Sequence, residues 1–242
     1  MFKRFKRTLL KGLLPIPVQA RHVEYSIIVS ADDDCSQPSP RLITTSTEAI
    51  RQAQSVSLAD VRARLTSPPY VVDIWPGESY KLLAGFVLTV KPKLIVEIGT
   101  GGGTSALTMK KVMPADAKLV TFDVTPWKDY EGHLFVESDL ADGRLAQYTE
   151  DLTQPEVFAR HRGLLERADL LFIDAAKDGV MEQTLIDALK AVSFHKPPLV
   201  IFDDIRVWNM LRIWRNLSLP KLDLTSFGHW TGTGLVEFKA GE

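Results

Sequence analysis

Cysteine is almost absent from this chain of 242 residues, in which Cys35 stands alone. A single cysteine cannot form an internal disulfide and cannot build a zinc site from cysteine ligands. It fits a reducing compartment, so we expect a cytoplasmic protein. No apolar run approaches the roughly 20 residues that a membrane-spanning helix needs. The formal net charge is only −1, so no overall field favours nucleic acid as a partner.

Basic residues are concentrated at the N-terminus, where they precede the first acid, Glu24. Apolar residues recur among them at near-helical spacing. Residues 1–14 could therefore form a basic amphipathic helix that contacts a membrane surface or a partner. The alternative, which we favour, is a partly ordered segment with a solvated basic face. No long apolar core follows, so a secretory signal is not expected.

The chain is predicted to comprise an N-terminal extension, residues 1–70, and one domain, residues 71–242. In the extension, an Asp- and Pro-rich linker over 31–41 precedes a helix over 45–65, with Ser57 as a possible N-cap. The extension could cover an acceptor site or mediate homodimer formation.

From Leu94 onward, strand and helix patterns alternate, which favours a parallel sheet covered by helices on both faces. No helical pattern separates the last two strand candidates, so they predict a terminal hairpin with one antiparallel strand. We therefore expect an α/β fold with a seven-stranded, mostly parallel sheet. The predicted strands are 94–98, 118–123, 145–149, 169–174, 198–203, 221–227 and 233–238. The predicted helices around them are 79–90, 104–113, 155–167, 180–193 and 206–216.

The first predicted strand of the sheet ends in a glycine-rich turn. Glycine occupies every second position from 99 to 103 after Glu97, and a helix is predicted to begin at Thr104 or Ser105. Glycines permit positive φ and close approach of a ligand, and amides at a helix N-terminus can bind a carboxylate or phosphate. The dinucleotide fingerprint requires glycine at position 104. The turn thus indicates a nucleotide-like ligand other than a dinucleotide.

Two acids follow the next two strands. Asp123 ends the second strand, 24 residues after Gly99. An acid there can accept hydrogen bonds from both ribose hydroxyls of a nucleoside. Asp151 follows the third strand, where it could accept a hydrogen bond from an adenine amino group or could instead cap the next helix.

The run from Val96 to Gly103, followed by Asp123, resembles the motif set of class I S-adenosylmethionine-dependent methyltransferases over about residues 70–240. The resemblance implies a Rossmann-like sheet with a terminal antiparallel hairpin. It also implies S-adenosylmethionine as the methyl donor, with Glu97 and the glycine turn near its methionine part and Asp123 on its ribose. The expected cofactor contacts are Glu97, Gly99, Thr100, Gly101, Gly103, Thr104, Ser105, Asp123, Asp151 and Asp174.

Further acids, Asp174, Asp203 and Asp204, follow the fourth and fifth strands. The carboxyl ends of parallel strands share the edge that carries the glycine turn, so we expect these acids beside the cofactor. Clustered like charges need a counter-charge, and oxygen ligands suit a divalent cation, with Mg²⁺ expected before Ca²⁺ or Mn²⁺. Capping of the following helices is the alternative.

This second pattern resembles the cation-dependent O-methyltransferases, the group that includes the catechol and caffeoyl-coenzyme-A enzymes. That group has an Asp after strand four, a Lys three residues later, and an Asp-Asn pair after strand five. Asp174, Lys177 and Asp203 match, whereas Asp204 replaces the asparagine. The resemblance implies Asp174, Asp203 and Asp204 as metal ligands and Lys177 and Asp174 as catalytic residues. We expect Lys177, its pKa lowered near the metal, to take the proton of an acceptor hydroxyl.

The predicted function is methyl transfer to a hydroxyl of a small-molecule acceptor. The alternatives are metal-independent transfer to a sugar or lipid-like acceptor and a non-catalytic module that binds S-adenosylmethionine. A nicotinamide-dependent oxidoreductase is disfavoured by Thr104 and by the acids. His133 and His229 are expected to be structural, because nothing in the sequence provides either with a partner. Trp75 and Trp208 are expected near the acceptor pocket.

Overall fold

The computed structural model describes residues 36–66, 72–207 and 209–239. The predictions for residues 1–14, Cys35 and Trp208 lie outside these residues. Within the described ranges, no helix combines the length and the apolar composition that crossing a membrane requires.

Seven strands form a single sheet. They are β1 (Leu94–Ile98), β2 (Lys118–Asp123), β3 (Leu145–Thr149), β4 (Leu170–Ile173), β5 (Leu199–Asp203), β6 (Lys221–Asp223) and β7 (Thr233–Glu237). Their order is β3-β2-β1-β4-β5-β7-β6. Strands β1 to β5 are parallel, and β7 lies antiparallel between β5 and β6. The predicted α/β, Rossmann-like sheet with its terminal antiparallel hairpin is confirmed.

Eight α-helices accompany the sheet in the described part of the chain. They are α1 (Pro40–Ala53), α2 (Ala59–Arg62), α3 (Tyr80–Val90), α4 (Thr104–Val112), α5 (Glu137–Leu140), α6 (Pro155–Leu165), α7 (Met181–Lys190) and α8 (Met210–Asn216). Buried residues of α1, α3 and α4 form the core on one face of the sheet. Buried residues of α6, α7 and α8 form the core on the other face, as predicted.

The single helix predicted over 45–65 is wrong, because the structure has two helices there. The first begins early: Ser39 Oγ accepts a hydrogen bond from the Leu42 amide at 3.1 Å, and a proline occupies the first helical position. The chain then leaves the helix, and the Leu58 amide donates to Asp73 Oδ1 at 2.7 Å before α2 begins. The cap at Ser39 lies within the segment predicted to be a linker.

Helix α8 begins at Met210, four residues later than predicted. After β5 the chain makes a turn in which the Val207 amide donates to the Asp204 carbonyl at 3.1 Å. Asp204 has φ 60°, a left-handed conformation that cannot continue into a helix.

Helix α1 packs against α3 with the two backbones in close approach. A Cβ placed on Gly85 would lie 2.3 Å from the Ala49 carbonyl oxygen, so only glycine permits this separation. The N-terminus of α1 is also tied to the end of β7. Arg41 pairs with Glu237 at 2.8 Å, and Ser39 Oγ donates to the same carboxylate. The described part of the extension is therefore packed on the sheet.

Alternation along the strands decides which face of the sheet each side chain occupies. In β1, Ile95 packs with the α1–α3 side, whereas Val96 packs with the opposite side. Glu97, two residues after Ile95, therefore faces the α1–α3 side. By the same alternation Asp203, two residues after Ile201, faces that side too. Two buried acids thus point toward one layer at the carboxyl edge of the sheet.

Candidate active site

The glycine turn after β1 lets two strands and a helix approach closely. Gly99 has φ +101°, and a Cβ there would lie 1.9 Å from the Asp174 carbonyl oxygen after β4. Gly103 has φ +85° and precedes α4, where a Cβ would lie 2.5 Å from the Phe135 ring. A larger residue at either position would force the neighbouring element away.

Glu97 is fully buried at the end of β1. Ser105 in the first turn of α4 donates its hydroxyl to Glu97 Oε1 at 2.5 Å. Oε2 has no hydrogen-bond partner among the described residues. Burial raises the pKa of Glu97 to about 8, so the carboxyl group is largely protonated at neutral pH.

A cleft of about 1000 Å³ opens at the carboxyl ends of β1, β2 and β4. Most residues predicted to contact a cofactor lie in its lining. These are Gly99, Thr100, Gly101, Thr104, Ser105, Asp123, Asp151 and Asp174. The predicted contacts Glu97 and Gly103 do not line the cleft, but they hold the turn that does. The volume is sufficient for a ligand that contains a nucleoside.

Asp123 and Asp151 differ in how their carboxylates are used. Asp123 accepts one hydrogen bond on each oxygen, from the Gly101 amide and from the Thr125 amide, both at 3.0 Å. Each oxygen keeps a further lone pair for a ligand hydroxyl. Asp151 Oδ1 accepts from the amide and the hydroxyl of Thr153, at 2.8 and 2.7 Å. Its carboxylate thus holds the turn before α6, whose N-cap residue is Gln154.

Asp203, Asp204 and His229 form a second group at the end of β5, which we call the acid–histidine cluster. One ligand atom from each lies within 4.8 Å of the others. His229 Nδ1 is 3.3 Å from Asp203 Oδ2 and 3.3 Å from Asp204 Oδ1. The Thr231 hydroxyl is 2.6 Å from Nδ1 and also bonds Asp204. On the far side of the ring, Nε2 is 3.6 Å from Glu78 Oε2.

Asp174 is not a member of the acid–histidine cluster. Its carboxylate pairs with Lys177, whose Nζ also lies 3.2 Å from Asp204 Oδ2. The structure therefore brings two of the three predicted metal ligands together and connects the third to them through a lysine. Lys177 and Asp174 also line the cleft.

The turn that carries Lys177 is held by a buried carboxylate. Glu182 accepts hydrogen bonds from the amides of Lys177, at 2.5 Å, and Gly179, at 3.1 Å. Lys177 has φ 56°, a conformation that lysine rarely adopts. Such strained residues persist only where the surroundings determine them, and they concentrate at functional sites.

Each charged group in the acid–histidine cluster changes the pKa of its neighbours. Burial raises the pKa of Asp203, because the loss of solvation destabilises its ionised form more than His229 stabilises it. Burial acts the same way on Asp204, but His229, Thr231 and Lys177 bind its ionised form and hold the pKa well below its ordinary value. Burial alone would lower the pKa of His229, whereas the two carboxylates raise it to about 10.

Lys177 shows the same competition. Burial lowers the pKa of its ammonium group, but Asp174 and Asp204 outweigh this effect and hold the pKa above its ordinary value. We expected a lowered pKa beside a metal ion. Among the protein groups alone, the direction is the opposite, because two carboxylates face one cation.

His229, for which the sequence fixes no partner, has several partners in the structure. Its partners could have been predicted from the strand order of the sheet. Because β7 runs antiparallel to β5, with Asp203 opposite Thr233, the loop before β7 must reach the end of β5. Tyr80 was also missed: it is half-buried, lines the cleft, and has a pKa raised by burial and then by the nearby carboxylates.

Trp75 and His133, which were also considered in the sequence, both lie among described residues. Trp75 Nε1 donates to the Phe227 carbonyl at 2.5 Å, and Trp75 does not line the cleft. His133 packs edge-on against Trp127, with ring centroids 5.1 Å apart. Its Nδ1 lies 3.2 Å from the Phe135 carbonyl oxygen.

Comparisons with known proteins identify the family and the fold. A family model described as O-methyltransferase matches residues 50–204. No curated protein sequence matches the chain. Among solved structures, the chain is similar to the SAH-bound methyltransferase PaMTH1 of Podospora anserina, with a TM-score of 0.50, 18% identity, and coverage of 86% of this chain and 92% of that chain. It is also similar to a methyltransferase from Geobacter sulfurreducens, with a TM-score of 0.50, 15% identity and 97% coverage of both chains. At these identities the similarity concerns the fold.

Proposed function

This chain belongs to the O-methyltransferase family, and on that premise we propose the reaction that it catalyses. A methyl group passes from S-adenosylmethionine to a hydroxyl of a small-molecule acceptor, and a divalent cation assists the transfer. One observation carries the proposal: Lys177 and Asp174 line the cleft and also connect to the acid–histidine cluster. The region for the methyl donor and the region for the acceptor therefore adjoin at these two side chains.

The cleft fits S-adenosylmethionine in charge as well as in size. Five acidic side chains and one lysine line it. Such a lining favours the cationic sulfonium and disfavours the phosphates of a dinucleotide. Asp123 retains acceptor capacity for ribose hydroxyls, and the glycine turn exposes its backbone to the ligand.

The acid–histidine cluster fits a divalent cation. Asp203 is 7% exposed, and its Oδ1 has no hydrogen-bond partner in the described part of the chain. A buried carboxylate oxygen without a partner is costly unless something else binds it. We propose that Asp203 and Asp204 hold the cation and that Asp174 acts through Lys177. When bound, a divalent cation supplies positive charge that stabilises a developing oxyanion.

We propose that Lys177 contacts the acceptor oxygen and takes its proton. Its backbone is fixed by Glu182, and its Nζ lies between Asp174 and Asp204. Asp174 and Asp204 keep the pKa of this ammonium group high. Nζ can therefore accept a proton from the acceptor only after its interactions with these two carboxylates have weakened. Positioning of the acceptor in line with the methyl group accounts for the rest of the catalytic effect.

Thermal unfolding with added ligands tests the proposal. We expect S-adenosylhomocysteine to raise the unfolding temperature and NAD to leave it unchanged, because a ligand that binds only the folded state stabilises it. Stabilisation by NAD alone would contradict the assignment. Calorimetry with Mg²⁺ and Mn²⁺ then compares the native protein with Asp203→Ala, and equal affinities in the two proteins would remove Asp203 from the cation site.

A second candidate is methyl transfer without a metal. It is favoured by the charge balance, since Lys177 and His229 already place two cations among Asp174, Asp203 and Asp204. Full activity after exhaustive chelation, with no response to added cations, would select this version.

A further inference from the structure

We infer that His229 is a ligand of the proposed cation site and that the acid–histidine cluster selects a transition-metal ion such as Co²⁺, Fe²⁺ or Zn²⁺ over Mg²⁺. This inference rests on the cation requirement in the proposed function. It departs from the ligand set implied by the sequence, Asp174, Asp203 and Asp204, because a histidine nitrogen takes the place of the Asp174 carboxylate.

The spacing of the donor atoms suits one ion. His229 Nδ1 is 3.3 Å from one oxygen of Asp203 and 3.3 Å from one oxygen of Asp204. Two ligands bound to one ion at about 2.1 Å, with angles between 90° and 109°, lie roughly 3.0 to 3.4 Å apart. Both nitrogen-to-oxygen separations fall within this interval, and all three ligand atoms lie within 4.8 Å of one another.

A carboxylate lies behind the imidazole ring. Glu78 Oε2 is 3.6 Å from His229 Nε2, the nitrogen that would not bind the ion. Histidines that bind metals almost always give their second N–H to a carboxylate, a carbonyl or water, which orients the ring. Glu78 is itself held near the cluster, because the Gly77 amide donates to the Gly228 carbonyl and the Trp230 amide donates to the Gly77 carbonyl.

The buried, unpartnered Oδ1 of Asp203 is an independent indication that the cluster lacks a ligand. Asp174 cannot supply a hydrogen bond to this oxygen, because an ionised carboxylate only accepts hydrogen bonds, and its own charge is paired with Lys177. Thr231 adds a hydroxyl oxygen that contacts both His229 and Asp204. The possible metal ligands in the acid–histidine cluster and beside it are therefore two carboxylates, one imidazole and one hydroxyl.

The donor chemistry determines the preferred ion. Mg²⁺ and Ca²⁺ prefer oxygen ligands, whereas imidazole suits the later first-row transition metals. His229 binds the ion as a neutral imidazole, so the proton that it carries beside Asp203 and Asp204 leaves as the ion binds. A neutral imidazole in place of a carboxylate also lowers the negative charge of the site, which weakens binding of hard cations most. A site with His229 is thus expected to bind Co²⁺ more tightly than Mg²⁺.

Metal binding by the full chain, without a histidine tag, tests the inference directly. Calorimetry and visible absorption with Co²⁺, and calorimetry with Mg²⁺, compare the native protein with His229→Gln and with the control His133→Gln. We expect His229→Gln to weaken Co²⁺ binding by about tenfold or more, with a changed absorption spectrum and little change for Mg²⁺. His133→Gln should match the native protein.

Pulsed EPR of the native protein loaded with Mn²⁺ gives a readout that needs no variant. We expect a ¹⁴N coupling from one imidazole, and its absence would overturn the inference even if His229→Gln failed to fold. Equal Co²⁺ affinity in the native and His229→Gln proteins, or no preference for Co²⁺ over Mg²⁺, would overturn the inference and leave the proposed function intact. A native protein that binds neither ion would remove the cation requirement and this inference together.

Discussion

Lys177 Nζ lies 3.2 Å from Asp204 Oδ2, and both residues have left-handed backbone conformations in the turns that follow the neighbouring strands β4 and β5. This ion pair is the connection between the cleft and the acid–histidine cluster. Asp204 stands where the resemblance to the cation-dependent O-methyltransferases implies asparagine. Asparagine and aspartate are the non-glycine residues best suited to positive φ, so the substitution keeps the backbone and adds a charge that pairs with Lys177.

Replacement of Lys177 by methionine should abolish most turnover while leaving the cofactor site intact. The side chain keeps its length but loses the charge near the acceptor oxygen. We expect kcat to fall by about 10²- to 10⁴-fold, the range of general acid–base contributions, with S-adenosylhomocysteine affinity unchanged. Single-turnover methyl transfer and calorimetry measure the two quantities. Lys190→Met, at an exposed lysine paired with Asp187, is the control, and full activity in Lys177→Met would remove Lys177 from the mechanism.

Asp123 and Asp151 should respond differently to replacement by alanine. Asp123→Ala removes acceptors for the ribose, so we expect S-adenosylhomocysteine to bind at least about tenfold more weakly. Asp151→Ala removes the hydrogen bonds to Thr153 and should lower the free energy of unfolding by about 1 kcal/mol. Calorimetry and urea unfolding on both variants separate the effects. A large affinity loss in Asp151→Ala without destabilisation would instead support adenine recognition.

The stability of the protein should depend on pH through Glu97. Its carboxyl group holds a proton up to about pH 8 in the folded state, against an ordinary value of 4.5. The folded state therefore binds more protons than the unfolded chain between these values. The stabilising contribution is fully present below pH 4.5 and is lost as pH rises through about 8.

Glu97→Gln should flatten this dependence, because the amide is neutral at every pH. We expect the free energy of unfolding of the native protein, measured without ligand from pH 5 to 9, to fall by up to a few kcal/mol more than that of the variant. The difference is greatest above pH 8. Parallel curves for the two proteins would show that Glu97 does not titrate in this range.

Gly85→Ala should destabilise the contact between α1 and α3. The added Cβ would lie 2.3 Å from the Ala49 carbonyl oxygen, so one helix must move. We expect a loss of about 1 to 3 kcal/mol, typical of overpacking. The matched control is Gly163→Ala in α6, where a Cβ meets nothing within 4 Å and should stabilise the helix by about 0.5 to 1 kcal/mol. Chemical denaturation of both variants measures these changes, and equal effects would refute the close packing.

The sequence predicted the sheet well because its strands are apolar runs that end at acids or glycines. β1, β2 and β3 begin and end at the predicted residues, and the antiparallel hairpin followed from the missing helix between its strands. The early part of the chain was harder to predict. The start of α1 depends on Ser39 and the proline after it, which lie in a segment whose composition is typical of a linker. Such a local cap is visible only once the helix that it begins is known.

The candidate site was predictable where residues belong to strand ends and unpredictable where they come from loops. Asp203 ends β5 and Asp204 follows it, and the parallel arrangement of the strands is enough to place them at the edge that carries the glycine turn. The partners of His229 depend on where β7 enters the sheet, and its pairing with β5 cannot be read from local patterns. The pairing of Asp174 with Lys177 depends on the left-handed turn that Glu182 holds, and neither periodicity nor composition indicates such a turn.

The position of β7 between β5 and β6 has a consequence for synthesis of the protein on the ribosome. Residues are made in order, so β5 emerges well before its antiparallel neighbour and remains an open sheet edge meanwhile. The side chains of β5 are buried in the finished protein, and this edge is a place where a nascent chain can associate with another. His229 emerges in the same late segment. The segment that covers this edge therefore also completes the acid–histidine cluster.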